Sequence, residues 1–274
     1  MKNKILSISY ICACAVLGCI GGIWMYRLLD AYFNTKTNAF KAPGGSITAI
    51  SVYIGVGAAL LIALGIIASV KTNAEKKMPR VLLLTIAALF FVSGISSLVM
   101  IFGASLKQMT TVYKMFTIGD VIFTFVSALY FIFKAFELKG AEYLSLSLPV
   151  WSVLLISSSY FNTDYTYTNY PRTVLSLAVA AMILFSLETV REHLGKRAPW
   201  LVGLSSALSV FLGLTYAISR AVFIISKGIA PKVADSLEFA VIAFAIYAIA
   251  SNLYKICDAP AEQPKEENEE EKTD

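Results

Sequence analysis

The chain has 274 residues, of which 57% are hydrophobic and only 15% charged, with a mean hydropathy of +0.70. Such values lie outside the range of soluble domains, and they exclude a nucleic-acid binder and a soluble enzyme on a single anchor. A bilayer-spanning helix takes about 20 apolar residues, so the apolar positions suffice for seven or eight spans and leave little for a water-soluble domain. The net charge of +5 averages two unlike parts: residues 258–274 hold eight acids against Lys265 and Lys272, leaving 21 bases and 10 acids in the body.

The first apolar segment, Ile5 to Leu29, follows Lys2 and Lys4. Val16-Leu17-Gly18-Cys19 is faintly like a lipoprotein cleavage site, but the apolar run continues to Leu29, which favours an uncleaved helix. Cys12, Cys14 and Cys19 fall inside this segment and Cys257 just past the last one, so the thiols read as small packing residues rather than a disulfide framework. Gly18 and Gly22 form a GxxxG pair, which predicts close approach of another helix on that side.

Seven further segments follow: Ile47 to Val70, Val81 to Ala104, Phe116 to Phe136, Leu144 to Tyr160, Thr173 to Val190, Trp200 to Ile225 and Leu237 to Ile256. Pro149 interrupts the fifth and Glu188 shortens the sixth, although proline is tolerated in lipid where neighbours satisfy the freed carbonyl. The expected fold class is all-α, a polytopic membrane bundle over residues 1–257. Residues 258–274 lack apolar periodicity and are expected to be a disordered acidic tail. With the amino terminus inside, twelve bases face the cytoplasm and eight the other side, Arg220 lying within a span. This bias predicts a multi-pass protein of the cell membrane with both termini cytoplasmic.

Lys76-Lys77-Met78-Pro79 and Lys196-Arg197-Ala198-Pro199 each precede a long segment. Ala88-Leu89 with Gly94 echoes Ala207-Leu208 with Gly213, and Ala128-Leu129-Tyr130 echoes Ala245-Ile246-Tyr247. These matches raise the expectation of a duplication, with halves 1–137 and 138–257 as parallel four-span repeats.

Ionisable residues inside spans are costly and mark sites, partners or interfaces. The segment ends place Asp120, Arg220 and Glu238 about one helical turn inside the outer face. Asp120, Thr124, Ser127 and Lys134 share one face of the fourth segment, and Ser206, Ser209, Gly213, Tyr216 and Arg220 one face of the seventh. Asp120, Thr124, Ser127, Ser209, Tyr216, Arg220 and Glu238 are therefore the candidate solute-binding residues of an outward-opening polar cavity. Beside this stands a structural reading. Asp235-Ser236-Leu237-Glu238 has the spacing of a capping box, Gly119-Asp120 could be a turn and cap, and Arg220 could snorkel to the headgroups. Tyr165, Tyr167 and Tyr170 fit an interfacial aromatic belt.

Catalysis finds little support. His193, the single histidine, reads as a solvated loop residue, with no HExxH, zinc, Walker, Rossmann or GxSxG pattern around it. Glu188, Arg191 and Glu192 have the spacing of a paired helix surface. No metal or other cofactor is expected. The lipid bilayer is the expected surroundings, and two functions fit: binding or transport of a small polar or charged solute, and a non-transporting membrane subunit, scaffold or sensor. The second would meet a membrane or cytoplasmic protein partner through small-residue helix faces and the acidic tail.

Overall fold

The computed structural model describes residues 2–34, 39–69, 78–103, 110–162, 170–196, 198–228 and 233–256, without the side chains of 2–8, 233–238, 252–256 and a few others inside these stretches. The chain forms α1 (Lys2–Tyr32), a two-stranded hairpin of β1 (Phe33–Asn34) and β2 (Ala39–Phe40), α2 (Gly44–Ser69), α3 (Arg80–Gly103), α4 (Thr111–Ala135), the short α5 (Ala141–Leu144), α6 (Ser147–Phe161), α7 (Tyr170–His193), α8 (Pro199–Lys227) and α9 (Val233–Ile256). Seven of the helical stretches are long and apolar enough to cross a membrane, and α9 adds an apolar stretch from Phe239 to Ser251. Helices are the expected form of such segments, because lipid offers no partner for an unpaired backbone N–H or C=O. Val52, Val56 and Leu60 on α2 and Val92, Val99 and Phe102 on α3 stay exposed, an apolar girdle too large for a soluble monomer and suited to lipid tails. The protein is a polytopic membrane helix bundle.

Local chemistry sets several helix ends. Thr110 caps α4, its side chain accepting from the Tyr113 N–H at 3.3 Å. Helix α4 therefore starts five residues before Phe116, the boundary read from the sequence, and the alternative of a turn and cap at Gly119-Asp120 does not hold. Likewise α9 starts at Val233, which puts Asp235 inside the first turn rather than at the cap. Pro149 is the third residue of α6, where its missing N–H would have no intrahelical partner anyway, so it opens that helix rather than breaking it. Gly228 (φ +58°) closes α8 in the left-handed conformation, its N–H reaching the Ile224 and Ile225 carbonyls.

Helices α1 and α8 form the most extensive contact among the described residues, and they run parallel. Tyr10 donates to the Gly203 carbonyl at 2.6 Å near one end, and Lys227 pairs with Asp30 at 2.6 Å near the other. Between these ends a Cβ on Gly18 would stand 2.9 Å from Leu214 Cβ, and one on Gly22 2.8 Å from Ile218 Cβ. The GxxxG face thus packs on α8 as expected, and only a residue without Cβ allows this separation. Helix α8 also packs on α2, α7 and α9, while α9 reaches α3, α4 and α6. One face of the bundle, the amino-terminal face, collects the starts of α1, α3, α6 and α8.

An aromatic core joins α3, α4, α6 and α9. Trp151 meets Phe90 edge-on at 5.2 Å and stacks on Phe244 at 5.8 Å, and Phe131 meets Tyr247 at 4.8 Å. The packing gives no support to a four-span duplication. In that scheme the α1–α8 pair would be matched by α6 with α3, and α7–α8 by α2 with α3; neither has a comparable contact among the described residues. Cys12, Cys14 and Cys19 are free thiols. Cys257 and the acidic tail lie outside the described residues.

Candidate functional site

Because α4 begins at Thr111, Asp120 lies nine residues inside it, about 13.5 Å along the axis. That is two and a half turns, not the single turn inferred from the sequence. Arg220 is seven residues from the end of α8 and Glu238 five from the start of α9, so these too are deeper than expected.

Asp120 is fully buried. Its Oδ2 accepts a hydrogen bond from Ser158 Oγ at 3.2 Å, a hydroxyl also 3.0 Å from the Leu155 carbonyl. One turn on, Thr124 donates to the Asp120 carbonyl at 2.8 Å, and Ser127 and Ser147 hydroxyls meet at 3.2 Å. Thr117, one turn earlier, is buried and its hydroxyl has no hydrogen-bond partner among the described residues. Steps of three and four put Thr117, Asp120, Thr124 and Ser127 on one side of α4, and α6 runs antiparallel against it, with Phe116 stacked on Phe161 at 5.2 Å. The result is a buried seam of hydroxyls around one carboxyl group.

The remaining expected residues sit elsewhere. Tyr216 and the partly buried Arg220 line a void of about 10 Å³ with Phe239 and Ile242 of α9, space for about one water. Ser209 is buried and donates to the Ser205 carbonyl of its own helix at 2.7 Å. The Glu238 side chain lies outside the described residues, as do Tyr165 and Tyr167. Tyr170 begins α7, and its hydroxyl lies 2.9 Å from Ser51 Oγ.

A second polar site lies at the amino-terminal face and was not foreseen as a site. Lys134, read from the sequence on the polar face of the fourth segment, is in the last turn of α4; its ammonium donates to Tyr130 at 3.1 Å and Tyr247 at 3.4 Å. It also stands 5.5 Å from each ring centroid, close enough for the ring quadrupoles to stabilise the charge. Tyr130 and Tyr247 end the Ala-Leu-Tyr and Ala-Ile-Tyr echoes; the structure brings both onto one lysine. His193 is not a solvated loop residue. It ends α7, partly buried, with its ring 6.4 Å from that of Tyr130.

Beside Lys134 opens a cavity of about 510 Å³ whose charged lining includes Arg80, Glu137, Lys139 and Glu142 as well as His193. Glu192 precedes His193 at the end of α7. One turn before it Glu188, nearly all buried, takes an ion pair from Arg191 at 2.6 Å, the spacing read from the sequence. Among the described residues no three His, Cys, Asp or Glu side chains stand together to hold a metal ion.

Comparison with protein-family models, with curated proteins and with solved structures gave no match.

Proposed function

We propose that the bundle binds a small polar or charged solute and carries it across the membrane, with Asp120 meeting a cationic or amine group of that solute. The observation that carries this reading is the depth of Asp120, a carboxyl group fully buried two and a half turns inside a membrane helix. A charge in that position is expensive, and it is retained where a pathway or ligand uses it. Thr124, Ser127 and Ser158 supply hydroxyls that can replace a solute's hydration shell along α4. Tyr216, Arg220 and Glu238 belong to the same proposal as the outer end of the path, Arg220 serving a carboxylate. The positive-inside bias supports a cell-membrane location with both termini cytoplasmic. The test is uptake into proteoliposomes of whichever amine, amino acid, carboxylate or ion stabilises the purified protein. Uptake abolished by Asp120→Asn supports the reading, and uptake equal in both proteins contradicts it.

A second reading has its own support. The void beside Tyr216 and Arg220 is only about 10 Å³, and Ser209 spends its hydroxyl on its own helix, which fits a non-transporting subunit or sensor whose polar groups hold helices together. In that case Asp120→Ala and Arg220→Ala lower stability alone, and no solute protects the wild type.

A further inference from the structure

We propose that the cavity beside Lys134 binds a small zwitterion in which a primary ammonium is joined to a phosphate, the chemistry shared by free phosphoethanolamine and by the headgroup of phosphatidylethanolamine. This site is independent of the solute reading at Asp120, which lies toward the other end of α4.

Four observations converge. At about 510 Å³ the cavity has the size of a small-molecule site. It lies where α3 begins and α4 and α7 end, the level of the headgroups in a membrane protein. Its lining carries both signs on separate elements: Arg80 opens α3, Lys139 follows α4 and Glu142 lies in α5. Among the described residues none of these three side chains has a hydrogen bond or ion pair.

Two cations and a carboxylate that have no partner among the described residues are together complementary to a dipolar ligand. The Arg80 guanidinium can take two phosphate oxygens at once, with Lys139 as a second cation. An ammonium has N–H groups to donate to Glu142. A purely anionic headgroup brings no donor for Glu142, and a trimethylammonium group has no N–H to give. Lys134, held by Tyr130 and Tyr247, adds a fixed positive charge beside the phosphate position.

The test uses the full chain in detergent and in nanodiscs. Melting of the wild type is followed with phosphoethanolamine in solution, and in nanodiscs of phosphatidylcholine to which phosphatidylethanolamine or phosphatidylglycerol is added. Arg80→Gln and Glu142→Gln are the variants; both side chains are exposed, so melting without ligand should not change. The expected result is saturable protection by the ethanolamine compound, weakened about tenfold or more in each variant and unchanged in Asp120→Asn. Protection by the soluble compound identifies a free solute, and protection by the lipid alone a headgroup. Equal protection by phosphatidylglycerol, protection undiminished in Glu142→Gln, or no protection by either ethanolamine compound would overturn the proposal.

Discussion

Ser158 of α6 donates its hydroxyl hydrogen to Oδ2 of Asp120 at 3.2 Å, in a seam where both side chains are buried. The bond ties the one carboxyl group in the interior of α4 to the helix packed against it. Removing the donor leaves a buried acceptor short of a partner, which costs about 1–3 kcal/mol. Ser158→Ala is therefore expected to melt lower than the wild type, while Ser157→Ala, whose hydroxyl bonds only to the Val153 carbonyl on the exposed side of α6, changes little. Equal melting of Ser158→Ala and wild type would remove Ser158 as the partner that matters.

The α1–α8 contact makes a steric prediction. Gly22→Leu would force a Cβ to 2.8 Å from Ile218, and overpacking of this kind costs about 1–3 kcal/mol. A Cβ on Gly55 of α2 would meet nothing within 4 Å, and Gly55→Ala should raise stability by about 0.5–1 kcal/mol through helix propensity. Thermal unfolding of the two variants should move in opposite directions.

Much of this architecture is legible in the sequence, and particular residues show where legibility stops. Apolar runs reveal the spans because span length follows from bilayer thickness, and Gly18 and Gly22 announce a close contact, though not that Leu214 and Ile218 fill it. The start of α4 is missed because Thr110 to Lys114 are polar or mixed, so the apolar segment is read from Phe116 while the Thr110 cap begins the helix earlier. That slip hides the depth of Asp120. Lys134 is legible as part of the polar face of the fourth segment, but its partner Tyr247, 113 residues away, can be brought to it only by tertiary packing. The serine run Ser157 to Ser159 contains the Asp120 partner, but nothing in the run tells which serine faces inward.

Lys134 and its two phenols should behave as a unit. Tyr247→Phe removes one acceptor, Lys134→Met removes the charge, and the double variant should cost less than the two losses added together, with an interaction of about 0.5–3 kcal/mol. Strict additivity in a double-mutant cycle would show that the 3.4 Å contact contributes nothing.

Topology supplies a further check. In a Cys257→Ser background, a cysteine at Lys41 should react with a membrane-impermeant thiol reagent added to whole cells, and one at Lys196 only after permeabilisation, since these exposed positions lie on opposite faces of the bundle. The reverse pattern would invert the orientation derived from the positive-inside bias.

The most direct test of the central claim is ligand-dependent melting of the purified wild type beside Asp120→Asn, against amines, amino acids, carboxylates and inorganic cations. Binding to the folded state alone raises stability by about 2.7 kcal/mol at a hundred times Kd. A solute site at Asp120 requires at least one cationic or amine compound to raise the wild-type melting temperature in a saturable way and to lose that effect in Asp120→Asn. A wild type that no compound stabilises, or a shift that survives the substitution unchanged, would contradict it.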